Sequence, residues 1–130
     1  MHVSLPSLEI VRTTKGTLPD VSFLDIKEKI LGKKYELSIA FIGPKEMQAV
    51  NKFHREKDYA TNVLSFPLSD SEGEILICLS VARKEAKDFE MSYTDFIVKL
   101  LIHGMLHLKG FDHCEEMDTL ENKYHKKFTK

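Results

Sequence analysis

Three histidines within a short run constrain this chain more than any other feature of its sequence. His103 and His107 are four residues apart in LLIHGMLHLKGFDH, residues 100–113, so on a helix they share one face, one turn apart. Gly110 follows where a helix needs a residue that accepts a positive φ in order to end. His113 comes six residues after His107, where a reversing chain could bring it beside the other two. The spacing predicts a helix, a glycine turn and a site of three imidazoles.

The spacing H-x-x-x-H-x-x-G-x-x-H is that of the metzincin zinc proteases, with one difference. The residue after the first histidine is the glutamate base in those proteases, whereas here it is Gly104. Three neutral imidazoles suit zinc and leave a fourth position for water or substrate, as in a catalytic site. We therefore expect one Zn²⁺ ion, or another divalent transition metal, and a base other than residue 104.

The neighbours of the third histidine allow more than one interpretation. Asp112 is either a hydrogen-bond partner for an imidazole or a turn residue beside Gly110. Cys114 could be a fourth ligand, which would make the site structural, although adjacent residues rarely both bind one ion. Glu115 and Glu116 suit the first turn of a final helix, where the helix dipole favours acids.

The composition predicts one ordinary globular domain. The chain has 130 residues, of which 42% are hydrophobic and 30% charged, enough to bury a core without disulfides. We expect residues 1–130 to form one metallohydrolase domain. No apolar run reaches the ~18 residues of a membrane span, the N-terminus lacks a signal-peptide pattern, and Cys78 and Cys114 form no CxxC motif. These features predict a cytoplasmic protein with reduced thiols and no membrane partner.

The order of apolar patterns predicts an α+β fold, an α/β sandwich. Strand patterns occur within residues 2–12 and at 37–42, 63–68 and 74–79. Helical patterns begin near residues 22, 44, 80, 92 and 115. The order β-α-β-α-β-β-α-α-α implies a mixed sheet of about four strands packed with about five helices. The histidine helix is the most apolar, so we expect it to be central.

Individual residues add detail to this outline. Pro67 indicates that the first strand of a hairpin, whose loop is SDSEG, lies at an edge of the sheet or ends there. Ser92 and Asp95 resemble a capping box that opens the histidine helix. Three apolar residues of the second helix are predicted to face the core: Met47, Val50 and Phe53.

A second candidate region is NKFHREKDYATNVLSFP, residues 51–67. Its basic residues Arg55 and Lys57 follow a predicted helix, where basic residues usually form a solvated face that complements the helix dipole. Beside a metal, however, a planar guanidinium can neutralise the charge that a phosphodiester gains in its transition state. Because the net charge is only -1, any phosphate-binding surface must be local.

The run HGMLHLKGFDH, preceded by NKFHREKDYATNVLSFP and GEILIC, resembles the YbeY family of bacterial endoribonucleases over roughly residues 36–125. The family pattern H-G-x-L-H-L-x-G-[YF]-D-H corresponds to residues 103–113, and the arginine of the family corresponds to Arg55. The resemblance implies that His103, His107 and His113 bind zinc and that Arg55 lines the adjacent cleft. It also implies metal-dependent cleavage of single-stranded RNA, in maturation of the 16S rRNA 3′ end and in ribosome quality control, with the small ribosomal subunit as a partner.

On this interpretation Arg55 binds and stabilises the phosphate, while Lys57 and Lys52 steer the RNA backbone. We expect no binding to DNA. Two other functions remain open. A zinc metalloprotease-like hydrolase fits the histidine frame but is opposed by Gly104, and a non-catalytic ribosome-assembly factor would use zinc only to stabilise its fold.

Two features depart from the pattern of the family. Asn62 stands where the family usually has an aspartate, so a charge that could hold Arg55 is replaced by a neutral amide. The acidic connector after His113, CEEMDTLE, is shorter than the usual acidic run. Both departures concern the electrostatics of the cleft rather than the metal frame.

Overall fold

The computed structural model describes residues 2–5, 7–13, 18–55, 61–111 and 115–129, with residues 2–5 and 54–55 described by their backbone. The strands of this part of the chain are β1 (His2–Leu5), β2 (Leu8–Arg12), β3 (Glu36–Ile42), β4 (Val63–Ser69) and β5 (Glu72–Cys78). Its helices are α1 (Phe23–Ile30), α2 (Pro44–Arg55), α3 (Leu79–Asp88), α4 (Tyr93–Leu108) and α5 (Glu115–Phe128). The predicted α+β fold with five helices is confirmed.

The strands form one mixed sheet in the order β1-β2-β3-β5-β4. Strands β2, β3 and β5 are parallel, while β1 and β4 run antiparallel to their neighbours. The single strand predicted within residues 2–12 is instead a hairpin of two strands. Leu5 pairs with Leu8, and Ser7 adopts a φ of 66°, the left-handed conformation that reverses a chain within a few residues.

Strand β4 is an edge strand, as Pro67 predicted. The loop before β5 is shorter than the predicted SDSEG, because Ser69 already pairs with Glu72 and only Asp70 and Ser71 form the turn. The register shifts between Pro67 and Ser69. Proline cannot donate a ladder hydrogen bond, and such an irregularity lets pairing resume beyond it.

The core lies on both faces of the sheet and places α4 at its centre. The large cluster joins β2, β3 and β5 to α1, α3, α4 and α5, whereas a smaller cluster packs α2 on the opposite face. Nine of the sixteen residues of α4 are buried, which confirms the prediction that the histidine helix is central. None of the described helices combines the length and apolar character needed to cross a membrane.

One predicted core residue lies outside the core. Met47 is fully buried and Val50 is half-buried, as expected, but 83% of Phe53 is exposed. Successive helical residues turn by about 100°, so Phe53 lies about 120° around α2 from Met47. Asn51 lies only about 40° from Met47, and it is Asn51 that is buried.

Candidate active site

Both ends of α4 are fixed by local hydrogen bonds. At its start the side chain of Ser92 accepts a hydrogen bond from the Asp95 backbone N–H at 3.1 Å, which confirms the Ser92 cap. At its end Gly110 has a φ of 108°. The Gly110 N–H donates to the His107 carbonyl and the Phe111 N–H to the Leu106 carbonyl, both at 3.0 Å. This Schellman turn ends the helix soon after the second histidine and reverses the chain.

His103 and His107 face each other on α4, as their spacing predicted. Their Nε2 atoms are 3.1 Å apart, and the rings are nearly perpendicular. Nδ1 of His103 lies 3.0 Å from a carboxylate oxygen of Glu121, and Nδ1 of His107 lies 2.9 Å from the Phe111 carbonyl. Because both partners are acceptors, each Nδ1 donates a hydrogen bond. In the tautomer that carries its proton on Nδ1, each ring presents the lone pair of Nε2 to the other ring.

This geometry fits a divalent cation. Two nitrogens that bind one zinc ion at ~2.05 Å and a tetrahedral angle lie about 3.3 Å apart, close to the 3.1 Å between the two Nε2 atoms. Two lone pairs that point at each other also favour a positive charge between them. Within the described ranges no group of three His, Cys, Asp or Glu side chains could hold a metal; His113, the predicted third ligand, lies outside them.

Glu121 is part of the site although the sequence analysis missed it. Its side chain is buried, with one oxygen 3.0 Å from Nδ1 of His103 and the other 2.8 Å from Nζ of Lys99. Burial raises the pKa of Glu121, but the hydrogen bonds from His103 and Lys99 outweigh it and lower the pKa to about 2. The one signal in the sequence is its position four residues after the buried Met117, which places an acid on the inward face of α5.

Gly104, the residue in place of the protease glutamate, is packed against the sheet. A Cβ atom on Gly104 would lie 2.9 Å from Oγ of Ser65 and 3.2 Å from Cδ1 of Ile75. The Ser65 hydroxyl also donates a 3.0 Å hydrogen bond to the Gly104 carbonyl, which holds β4 against α4. Position 104 therefore has no room for a glutamate side chain, and its Cα faces the sheet.

The two histidines line a cleft of about 820 Å³. One wall is the edge strand β4, α4 runs along the cleft, and α5 contributes acids on the other side. The lining residues are Asn62–Phe66, Phe89, Phe96, Lys99, Leu100, His103, His107, Asp118 and Glu121.

Part of the predicted site lies outside the residues that the structure describes. Arg55 is the last residue of α2, and its side chain lies outside what is described. Lys57 also lies outside the described residues, as do Asp112, His113 and Cys114. The predicted meeting of Arg55 and the histidines across one cleft therefore stays a prediction.

Asn62 has a hydrogen-bond partner that explains why an amide suits this position. Its Nδ2 atom donates a 2.7 Å hydrogen bond to a carboxylate oxygen of Glu85 in α3. An ionised aspartate could not donate this bond and would place two negative charges side by side. In this chain, residue 62 therefore connects β4 to α3.

Comparison with known proteins agrees with the motif. The family model described as Endoribonuclease YbeY matches residues 12–129. Proteins named Endoribonuclease YbeY are similar to this chain in Finegoldia magna (40% identity, covering 66% of this chain and 61% of the relative) and in Staphylococcus carnosus (36% identity, covering 73% and 70%). The matched segment thus spans about three-fifths of the Finegoldia protein.

A solved structure is similar to this chain over most of its length. The solution structure of a Thermotoga maritima protein matches with a TM-score of 0.65 and 28% identity, covering 92% of this chain and 87% of that one. The family model extends over nearly all of the sequence, including the histidine helix and the strands that pack against it. As its histidine motif predicted, the chain belongs to the YbeY family.

Proposed function

We propose that this chain is a metal-dependent endoribonuclease that cuts single-stranded RNA with one metallohydrolase domain. The observation that carries the proposal is the pair of Nε2 atoms 3.1 Å apart, on a helix whose two ends are fixed and beside an open cleft. Membership of a family of endoribonucleases, which are generally metal-dependent, supports the same reaction.

The Nε2 atoms of His103 and His107 fit one divalent ion, for which His113 would be the third ligand, and three imidazoles favour Zn²⁺. When bound, such an ion supplies Lewis-acid stabilisation of negative charge on a phosphoryl oxygen. The chain's own contribution is to orient the ligands. The Glu121 carboxylate and the Phe111 carbonyl each accept a hydrogen bond from Nδ1 of one histidine, which keeps Nε2 directed into the site.

Arg55 and Lys57 would contact the substrate rather than the metal. A guanidinium at Arg55 would bind the scissile phosphate through two parallel hydrogen bonds and stabilise the charge that develops there. Lys57 would contact a neighbouring phosphate as a point charge. Both roles rest on the correspondence with the motif of the family.

Phosphodiester cleavage suits this site better than peptide cleavage. Peptidases with this histidine frame place a glutamate base directly after the first histidine. Here that position is Gly104, packed against Ser65 and Ile75. The family supports RNA as the substrate. Within the cytoplasm, the expected substrate is single-stranded ribosomal RNA near the 3′ end of 16S rRNA, reached on the small ribosomal subunit.

The test compares substrates and variants under one set of conditions. Metal-loaded wild type, Arg55→Ala and His107→Ala are given labelled single-stranded RNA, the same RNA as a duplex, single-stranded DNA and a peptide. We expect wild type to cut only the single-stranded RNA and Arg55→Ala to be about 10²–10³-fold slower. Equal RNA cleavage by wild type and His107→Ala, or cleavage of the peptide alone, contradicts the proposal.

The products of the same reaction report the attacking group. A 2′,3′-cyclic phosphate terminus would show that a ribose 2′-hydroxyl attacks, because direct hydrolysis by water cannot produce it. An Arg55→Ala variant with full activity would remove the phosphate-binding role of Arg55 and leave the metal site in place.

A further inference from the structure

An exposed aromatic ring stands in the cleft that contains the histidines. Phe89 lines the cleft, yet 53% of its surface is exposed. Its ring stacks on Phe96 with centroids 5.2 Å apart and planes inclined by 29°, and Phe96 is almost fully buried. Phe96 therefore supports one side of the Phe89 ring, while much of the rest of Phe89 is open to solvent.

The backbone holds Phe89 in this position. Phe89 is the cap residue directly after α3 and is followed by Glu90, which has a φ of 55°. The Glu90 N–H donates to the Lys87 carbonyl at 3.1 Å, and the Met91 N–H donates to the Ala86 carbonyl at 3.0 Å. This is a Schellman turn with a glutamate at the position that usually takes glycine. A residue in this conformation costs about 1 kcal/mol more than glycine, so the surrounding packing must fix the turn.

The ring and the histidines belong to one continuous surface. Phe96, Lys99, Leu100, His103 and His107 all line the cleft and recur on α4 at intervals of three or four residues, which is one helical face. Seven residues separate Phe96 from His103, or about 10 Å along the helix at 1.5 Å per residue. A ligand that reaches the histidine pair can therefore extend along α4 to Phe89.

The charges on the described walls give little attraction for a phosphate backbone. Among the lining residues that the structure describes, Lys99 is the one lysine, and it is paired with Glu121 at 2.8 Å. Asp118 adds a second carboxylate to the same lining. Near the Phe89 end, contact with an apolar and planar part of a nucleotide must supply the affinity that Coulomb attraction does not.

We propose that Phe89 is a stacking platform for one nucleobase of single-stranded RNA, about two helical turns along α4 from His103. The inference rests on the proposed endoribonuclease function and adds a base-binding subsite to it. A base whose faces are both stacked inside a duplex cannot lie on this ring, whereas an unpaired base can. The subsite therefore gives a physical reason for a preference for single strands.

The test measures binding of a short fluorescein-labelled 2′-O-methyl phosphorothioate RNA, which resists cleavage, to the metal-loaded protein by fluorescence anisotropy. Phe89→Ala and Phe89→Leu are compared with Phe89→Tyr, which keeps an aromatic face. Leu68→Ala is the matched control, because Leu68 is also a large exposed apolar residue but is absent from the lining of this cleft. Thermal unfolding of every variant verifies folding.

We expect Phe89→Ala and Phe89→Leu to weaken binding about 5- to 100-fold. Phe89→Tyr and Leu68→Ala should stay within about twofold of wild type. Abasic nucleotides are then introduced one position at a time. At the position that contacts Phe89, the abasic RNA should bind wild type and Phe89→Ala equally well, since the lost interaction is the same one.

Two results overturn the inference. If Phe89→Leu binds like wild type while Phe89→Ala is weak, Phe89 is only an apolar cover for Phe96. If no abasic position removes the Phe89→Ala effect, or if no effect exists, no base stacks there. Cleavage of ordinary RNA by wild type is measured in parallel. If wild type still cuts RNA, either result leaves the proposed function intact. If wild type neither binds nor cuts RNA, both the proposed function and the stacking role of Phe89 are contradicted.

Discussion

A carboxylate oxygen of Glu121 lies 3.0 Å from Nδ1 of His103, and this contact joins α5 to the first histidine of α4. The other oxygen of Glu121 accepts a hydrogen bond from Lys99 at 2.8 Å, so the carboxylate is held from two sides. His103 is therefore fixed both in its tautomer and in the direction of its ring. The histidine pair depends on a helix that the histidine motif itself does not contain.

Removing the Glu121 carboxylate should weaken metal binding. We expect Glu121→Ala to lose about 10- to 100-fold in zinc affinity, because His103 loses the acceptor that fixes its tautomer. Glu121→Gln should lose less, since its amide oxygen can still accept a hydrogen bond from Nδ1 of His103. Zinc affinity is measured by competition with a chromophoric chelator, using Glu116→Ala as a control for an exposed acid of α5. Wild-type affinity in Glu121→Ala would contradict the orienting role.

A side chain at Gly104 should destabilise the fold by colliding with β4. We expect Gly104→Ala to lower the free energy of unfolding by about 1–2 kcal/mol, in spite of the better helix propensity of alanine. Ser65→Ala removes the Oγ atom that lies 2.9 Å from the new Cβ, so the same change should cost less in that background. Urea unfolding of both single variants and the double variant measures this coupling. If the losses in unfolding free energy from the two substitutions are strictly additive, Ser65 does not restrict the side chain at position 104.

Asn62→Asp should destabilise this chain. The new carboxylate would face Glu85 across the present 2.7 Å contact, and two ionised carboxylates at that distance repel each other. We expect a loss of about 1–2 kcal/mol at neutral pH, most of which Glu85→Gln should recover. Thermal unfolding of the four combinations measures the effect. An Asn62→Asp variant as stable as wild type would show that the Asn62 contact contributes nothing.

The buried amine of Lys27 should make stability depend on alkaline pH. Lys27 is fully buried, and its Nζ donates to Oγ of Ser7 at 2.6 Å and to the Lys33 carbonyl at 2.9 Å. Burial lowers the pKa of Lys27 below its ordinary value of 10.5, against a smaller effect of Glu28 that raises it. Between the lowered pKa and 10.5 the unfolded chain binds more protons than the folded one, so the free energy of unfolding rises with pH.

The Lys27→Met variant has no amine at position 27. Comparing it with wild type therefore isolates the effect of Lys27 titration on stability. The stability of wild type relative to Lys27→Met should increase as the pH rises from neutral toward 10.5. Tyr35 and Tyr93, whose pKa values burial raises, titrate in both proteins and cancel in the difference. Urea unfolding at a series of pH values measures it. A stability difference that is constant, or that falls with pH, would contradict a lowered pKa at Lys27.

The parts of the fold set by local geometry could be predicted from the sequence. His103 and His107 share a face because any helix places residues four apart on one side. Ser92 caps α4 and Gly110 ends it because few residue types satisfy the backbone at those points. Pro67 marks an edge strand because a central strand needs every N–H.

Features that depend on distant packing could not be predicted in the same way. Lys27 and Glu121 are charged residues, which are usually exposed, and each is buried because a distant part of the chain supplies its partners. Phe53 was predicted to face the core because it is apolar, but its angle around α2 turns it toward solvent. Asn62 was interpreted only through the family pattern, and its contact with Glu85 depends on how α3 packs beside β4.

The most direct test of a catalytic metal site is a zinc titration of the metal-depleted protein. Zinc binding, thermal unfolding and RNA cleavage are measured in the same samples at each zinc concentration. Because the large core cluster forms from apolar side chains, we expect the metal-depleted protein to stay folded and to cut no RNA. Cleavage should rise in proportion to bound zinc up to one equivalent, and saturation at 100 times Kd should stabilise the fold by about 2.7 kcal/mol. Adding zinc to His107→Ala should produce neither the cleavage nor the gain in stability. Full cleavage without metal, or unfolding on metal removal with no cleavage at any zinc level, would contradict a catalytic metal site at His103 and His107.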